Sequence, residues 1–306
     1  MIRRAGVLVI ALACLSCGGT PTGPSGGSGG TPTLPPGPVV PAPAPVPGLP
    51  QVLVGAGDIA ACDNNSQATA RLLDTIGGTV FTLGDNAYFH GSREDFRNCY
   101  EPTWGRHKDR TRPAPGNHDY ESPGALPYFE YFGANAGPAG LGYYSFDVGA
   151  WHAIALNSNI PTAASSVQAA WLRSELVLHA PSRCTIAYWH HPLFSSGPNG
   201  DTANMRDTWR ILYEAGVDVV MNGHDHLYER FAPQDPDGRP DAPRGIRQFT
   251  AGTGGAPLYQ FGAPRPNSEV RISAFGVLKL TLRPDGYDWE FTPVSGARDA
   301  GTGTCH

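Results

Sequence analysis

Residues that ligate metals recur at the ends of short apolar runs in this chain. Residues 51–54 lead into Gly55-Ala56-Gly57-Asp58, and residues 79–83 into Gly84-Asp85-Asn86-Ala87-Tyr88. Residues 111–115 lead into Gly116-Asn117-His118-Asp119, 185–189 into His190-His191-Pro192, and 217–221 into Asn222-Gly223-His224-Asp225-His226. Each motif alone has a plain structural explanation: Gly-Asp after a strand is commonly a turn, Asn-His a capped loop, and His-His a pair satisfied by backbone. Gly-His-Asp-His is more specific, because histidines at i and i+2 of an extended chain project to one side and suit a metal. Together the motifs supply two aspartates, an asparagine, three or four histidines and a tyrosine. One divalent ion needs three or four ligands, so this is a donor set for two. Two ions about 3.5–4 Å apart, joined by a shared carboxylate, suit in-line attack on phosphorus, with a hydroxide generated between them and the ester oxygens clamped. Oxygen and nitrogen donors suit iron, manganese or zinc. A dioxygen-activating iron site would need only two histidines and one carboxylate, so the surplus speaks against it.

Such ligands must be brought to one edge. In open α/β sheets that edge is the carboxyl end of the strands, and glycines allow the tight turns required there. The runs at 51–54, 79–83, 185–189 and 217–221 are β-branched and aromatic, as strands are. Ser66 is the expected cap of a helix reaching Ile76, with Gly77 as its stop. Residues 165–179 and 202–215 read as further helices. Residues 143–148 and 151–157 read as a hairpin across Gly149-Ala150, and residues 275–282 and 286–292 as another across 283–285. The pattern predicts an α/β fold in which two mixed β-sheets pack together and are flanked by helices.

Composition bounds the rest. Hydrophobic residues make up 40% of the 306, enough for a real core, and no apolar stretch reaches the roughly 18–20 residues of a membrane span. Arg3 and Arg4 precede an apolar run ending at Leu15, then Ser16-Cys17, the pattern of a secretory signal over 1–17. Cys17, or failing that Cys14, resembles the lipid-modified cysteine of bacterial lipoproteins; an ordinary cleaved signal is the alternative. Residues 18–50 carry no charge, and 20 of these 33 are Pro or Gly, which describes a disordered tether. Residues 51–306 are then one catalytic domain. The expected location is the bacterial cell envelope, lipid-anchored or periplasmic, or the outside, with membrane contact only through the lipid. Without Arg3 and Arg4 the net charge goes from −5 to −7, which argues against a nucleic-acid partner bound through a broad basic surface. Cys62, Cys99, Cys184 and Cys305 allow three pairings, and the sequence does not decide among them. Cys62 and Cys99 each follow a strand-end motif, which favours Cys62–Cys99 and leaves Cys184–Cys305.

The motifs Gly57-Asp58, Gly84-Asp85-x-x-Tyr88, Gly116-Asn117-His118-Asp119, His190-x-Pro192 and Gly223-His224-x-His226 resemble the five blocks of calcineurin-like metallophosphoesterases, over about residues 51–230. Ala60 where general members often carry histidine, Tyr88 in the second block, and residues 223–230 (GHDHLYER) resemble the purple acid phosphatase branch. The resemblance implies a four-layer metallophosphoesterase-type sandwich and a phosphomonoesterase that acts on small phosphate esters. It implies that Asp58, Tyr88 and His226 hold an Fe(III), that Asp85 bridges, and that Asn117, His190 and His224 hold a second ion, iron, zinc or manganese. It makes His118 the catalytic residue beside substrate and the leaving group. His191 falls outside the ligand pattern; Trp189, Tyr228 and Arg230 read as packing, and His90 as a loop residue near the cleft. Purple acid phosphatases often carry a further substrate-facing histidine after the His-x-Pro block, but none occurs here between 192 and 223. Phosphodiester or nucleotide hydrolysis at the same site is therefore an alternative. A surface phosphate-binding or adhesion module is the non-enzyme alternative, opposed by the full set of ligands.

Overall fold

The computed structural model describes residues 49–179 and 184–306. The expected signal at 1–17 and all but the last two residues of the expected tether at 18–50 lie outside the described residues. The fold begins with β1 (Gln51–Ala56), α1 (Asn64–Thr75) and β2 (Thr79–Leu83). Asp63 caps α1 by accepting from the backbone N–H groups of Asn65 and Ser66, two of the donors a helix start leaves open. The cap is therefore not Ser66, whose hydroxyl instead donates to Asp63 O at 3.3 Å. Helical turns at Arg93–Asp95, Phe96–Tyr100 and Trp104–Arg110 lead to β3 (Thr111–Ala114) and α2 (Leu126–Phe132). The hairpin of β4 (Tyr144–Val148) and β5 (Trp151–Ala155) precedes α3 (Val167–Leu178), which Ser166 caps. Then come β6 (Thr185–Tyr188), α4 (Arg206–Glu214) and β7 (Val219–Asn222). Helix α4 starts later than residue 202 because Ala203–Met205 winds as a tighter 3-10 turn. The remainder is β8 (Tyr228–Phe231), β9 (Arg247–Ala251), β10 (Ser268–Ile272), β11 (Gly276–Arg283), β12 (Gly286–Pro293) and β13 (Asp299–Thr304). Arg283 pairs with Gly286, so the last expected hairpin turns on Pro284-Asp285 alone.

One sheet has the order β13-β12-β11-β1-β2-β3 and the other β10-β8-β9-β7-β6-β5-β4. Strands β1, β2 and β3 run parallel, as do β5, β6, β7 and β9, with antiparallel strands added at the flanks. Side-chain alternation along these strands sets the layers. Leu53, Phe81, Leu83 and Leu280 of the first sheet meet Trp151, Ile186, Tyr188 and Phe249 of the second in one buried core. Their neighbours face outward. Val54, Val80 and Val277 pack with Ala70 and Leu73 of α1 and with Phe96 and Trp104. Ile154, Ala187 and Val220 pack with Leu172 and Leu176 of α3 and Trp209 and Leu212 of α4. The order is helix, sheet, sheet, helix, the expected four-layer α/β architecture. Each buried Leu or Phe contributes about 1.5–3 kcal/mol. The disulfides are Cys62–Cys99 and Cys184–Cys305, the second fastening the chain just after β13 to the residue before β6. Among the described residues no helix is long and apolar enough to cross a membrane.

Candidate metal centre

The parallel strands of both sheets deliver their carboxyl ends to the same place. The loops after β1, β2 and β3 carry Asp58, Asp85 and Asn117-His118, and those after β6 and β7 carry His190, His224 and His226. Backbone bonds tie the loops to one another: Asp58 N–H to Gly84 O (3.0 Å), Ile59 N–H to Asp85 O (2.9 Å) and Gly223 N–H to His190 O (3.0 Å). Asp58, Asp85 and His224 all adopt left-handed backbone, at φ 58°, 50° and 69°. This conformation costs roughly 1–2 kcal/mol per residue outside glycine, a strain that recurs where side chains are held for function. Gly84, at φ +85°, is also required by space, since a Cβ there would lie 2.6 Å from His190 Nδ1. A Cβ at Gly116 would run into the Asp85 carboxylate and its backbone nitrogen.

The seven expected ligands form two adjoining pockets. In one, Tyr88 Oη lies 3.1 Å from Asp58 Oδ1, 3.0 Å from Asp85 Oδ2 and 3.2 Å from His226 Nε2, with His226 Nε2 3.3 Å from Asp58 Oδ1. In the other, His190 Nε2 lies 3.3 Å from Asp85 Oδ2, 3.0 Å from Asn117 Oδ1 and 3.2 Å from His224 Nδ1. Asp85 Oδ2 belongs to both. Its partner Oδ1 accepts the His118 N–H at 2.8 Å. The imidazoles are aimed from behind: His190 Nδ1 donates to Leu83 O and His226 Nδ1 to Pro257 O, both at 2.7 Å, which turns Nε2 of each toward the centre. Asp58, Asp85, His190 on one side and His190, His191, His224 on the other each present ligand atoms within 4.8 Å of one another and could hold an ion.

Without cations the donors compete for protons. Burial alone would raise the Asp85 pKa, but the charges of His190 and His118 pull it far below the usual carboxylate range. His190 shows the reciprocal effect: burial lowers it, yet Asp85 outweighs burial and carries it up to about 9. Burial and then His190 and His191 push His224 down to about 2. Burial, reinforced by the charges of Asp58 and Asp85, raises Tyr88 well above its ordinary value. A buried proton on His190 thus occupies the place where a cation would balance Asp85.

His118 lies at the rim, with Nδ1 2.5 Å from Phe89 O and Nε2 3.9 Å from Asp85 Oδ2. His191, outside the ligand pattern, lies behind His224: its ring is 4.3 Å from that of His224, while Nδ1 pairs with the Ser158 hydroxyl at 2.8 Å. His90 stays outside, exposed and paired with Glu121 at 2.6 Å. Trp189 is buried between β6 and α4, and Tyr228 and Arg230 both bond Asp299, so all three pack. Three supporting residues escaped the sequence reading. Buried Asp119 accepts from Gly116 N–H (2.8 Å) and Asn86 Nδ2 (2.9 Å), and burial with the Asp85 charge lifts it to about 7. Asp225 accepts from Asn199 N–H at 3.0 Å and from the Ser195 hydroxyl, which anchors residues 195–200 beside His224. Tyr259 stacks on His226 at 4.0 Å. The first two stand inside the motifs and carried that signal; Tyr259 carried none.

A sequence profile described as Calcineurin-like phosphoesterase matches residues 52–228. Purple acid phosphatase 21 of Arabidopsis thaliana is 31% identical over 259 residues, covering 74% of this chain and 56% of that protein. Purple acid phosphatase 15 of the same plant is 28% identical, covering 62% and 42%. The chain therefore spans about half the length of these curated relatives. A purple acid phosphatase from yellow lupin (Lupinus luteus) seeds superposes with a TM-score of 0.71 at 20% identity, over 85% of this chain and 55% of that one. GAP50, the anchor in the inner membrane complex of Plasmodium, superposes with a TM-score of 0.65 at 15% identity, over 84% and 89%. These two likenesses are of fold.

Proposed function

The chain belongs to the calcineurin-like phosphoesterase family, and from that premise we propose that it hydrolyses phosphate esters at a two-metal centre. The observation that carries the proposal is Asp85 Oδ2, within 3.0 Å of Tyr88 Oη and 3.3 Å of His190 Nε2 and so facing both pockets. Asp58, Asp85, Tyr88 and His226 would hold one ion, iron in the purple acid phosphatase branch. Asp85, Asn117, His190 and His224 would hold the other, iron, zinc or manganese. Bound there, such ions polarise the phosphoryl group and activate water.

The chain's own residues supply the remaining steps. Leu83 O and Pro257 O fix the ring orientation of His190 and His226 before any ligand arrives, so little reorganisation is needed on binding. His118 donates from Nδ1 to Phe89 O. That leaves Nε2 on the side of Asp85, where, once it too carries a proton, it can give that proton to the departing alcohol oxygen and return to the neutral ring. A small phosphomonoester is the favoured substrate. One observation supports a diester instead: Asn199, and no histidine, occupies the loop beside His224, with Nδ2 donating to His224 O at 2.9 Å. The two disulfides support a place outside the reducing cytosol.

Turnover of 4-nitrophenyl phosphate and bis(4-nitrophenyl) phosphate, with and without chelator, tests the proposal. Faster monoester cleavage, abolished by chelation and restored by metal, is expected. Faster diester cleavage would move the chain to the second reading. Failure to cleave either ester with two metals bound would leave a phosphate-binding module.

A further inference from the structure

We infer that the Phe89 side chain is a binding surface for the leaving group and selects esters whose alcohol is a phenol; this rests on the phosphoesterase reading above. Among the described residues Phe89, 55% exposed, is the one aromatic side chain among the exposed large hydrophobics. A single exposed apolar residue needs no explanation by itself. Its place gives this one meaning. Phe89 lies on the loop after β2 that carries Asp85 and Tyr88. Its carbonyl accepts from His118 Nδ1 at 2.5 Å. The rings of Phe89 and His118 both rest on Tyr88, with centroids 5.7 and 4.5 Å from that of the tyrosine. The Tyr88 hydroxyl in turn touches Asp58, Asp85 and His226. Phe89 therefore stands at the rim of the centre, one ring removed from its ligands and beside the group proposed to protonate the departing oxygen.

The loop is not free to fold this ring away. Before it, Tyr88 N–H donates to Ala60 O at 2.9 Å; after it, Gly91 N–H donates to Ala87 O at 3.1 Å. Between these, His90 N–H donates to Asp95 Oδ2 at 3.2 Å, and His90 O accepts from the Ser122 hydroxyl at 2.9 Å. Gly91, at φ +53°, runs so close to the next loop that a Cβ there would lie 2.6 Å from Asp119 Cα. An apolar ring pinned at the mouth of a polar centre is preorganised contact area, which costs little ordering when a ligand covers it. The ester's own chemistry selects the occupant. In a phenyl ester the ring is bonded directly to the ester oxygen, so with that oxygen at His118 Nε2 the ring falls beside His118 and Phe89. A glycerol or sugar ester presents hydroxyls there, for which an apolar ring is a poor partner. In a nucleoside 5′-phosphate the ribose carries the base past this position. Contact between two aromatic rings, offset or edge to face, strengthens binding by about 2–10-fold beyond the area it buries.

Titration calorimetry of the metal-loaded full chain with benzylphosphonate and with ethylphosphonate tests this. Neither is an ester, and benzylphosphonate carries a methylene where phenyl phosphate has its ester oxygen, so affinity is read apart from leaving-group reactivity. Wild type should bind benzylphosphonate more tightly than ethylphosphonate by about 3–10-fold. Phe89→Ala should bring that ratio close to one and Phe89→Trp should preserve it, since both keep the carbonyl that holds His118; metal content is measured in each. A ratio near one in wild type, or a wild-type ratio in Phe89→Ala, would overturn the inference and leave the phosphoesterase reading standing. Loss of ions from Phe89→Ala with the ratio kept would likewise overturn it, making the ring a cover for Tyr88. Wild type with two metals that binds neither phosphonate nor inorganic phosphate would overturn that reading and this inference together.

Discussion

The backbone N–H of His224 donates to Asp58 Oδ2 at 2.9 Å, although 166 residues separate the two. Asp58 follows β1 in one sheet and His224 follows β7 in the other, and both hold left-handed backbone. Meanwhile Asp58 Oδ1 faces Tyr88 and His226. One carboxylate thus orders its own pocket with one oxygen and braces the opposite loop with the other. Neither sheet alone makes a centre, so the site exists only once the two have packed.

Asp85 is the residue on which both pockets depend. Asp85→Ala should lose both ions together, since Asp85 Oδ2 faces Tyr88 Oη in one pocket and His190 Nε2 in the other. Elemental analysis checks this; two metals per chain in the variant would place the bridge elsewhere.

Tyr88 offers a spectroscopic test for iron. A phenolate on Fe(III) absorbs visible light, so iron-loaded protein should be coloured and Tyr88→Phe should bleach it. The substitution also removes the hydroxyl that touches Asp58, Asp85 and His226, so iron retention should be measured beside the spectrum. A colourless, active protein filled with zinc or manganese would exclude iron and leave the paired centre standing.

Much of this centre was legible because strands covered on both faces must be continuously apolar. TVFTL and VDVVM therefore stood out, and the polar residues that end them stood out more. Strand β8 was not legible, because Glu229 and Arg230 interrupt it. Both are internalised by distant partners: Glu229 accepts from the Ser196 N–H and hydroxyl, and Arg230 from its guanidinium donates to Asp299. Strand β13 reads Asp-Ala-Gly-Thr-Gly-Thr, poor in β-formers. It forms because Gly301 and Gly303 leave room for the Trp289 and Tyr287 rings, and because Cys305 is tied to Cys184. His191, outside the ligand positions of the motif pattern, packs its ring against His224 as a supporting residue. Long-range pairing of this kind leaves no local signature.

His107 should make stability depend on pH independently of the metals. It is buried, with Nε2 3.1 Å from Asp74 Oδ1 and Nδ1 3.2 Å from Arg110 Nη2. Burial and then the Arg110 charge depress its pKa to about 4 from 6.5. The unfolded chain therefore binds the extra proton first as pH falls, and the folded state loses stability between pH 6.5 and 4. Urea unfolding of chelated protein at pH 8 and pH 5 should show His107→Gln losing about 1–2 kcal/mol less than wild type over that interval. Parallel losses in both proteins would remove His107 as a cause.

The role proposed for His118 is chemical and not structural. It follows Asn117 in sequence but contributes no atom to either pocket; its Nε2 is 3.9 Å from Asp85 Oδ2. Two oxygens hold its other nitrogen: Phe89 O at 2.5 Å and Glu121 Oε1 at 3.3 Å. The ring is thereby oriented with Nε2 toward the cleft, and a quarter of the side chain remains open to solvent, at 26%, so a substrate oxygen can reach it. General acid catalysis of this kind is worth about 10²–10⁴-fold in rate. His118→Asn should keep the fold and both metals and lower kcat by a factor in that range for alkyl phosphates. Nitrophenyl phosphate needs little protonation of its leaving group, so the deficit there should be much smaller. A leaving-group series on wild type and variant, with metal content measured in each, separates the possibilities. An equal deficit across the series would reduce His118 to positioning or charge stabilisation, and loss of an ion from the variant would make it a ligand.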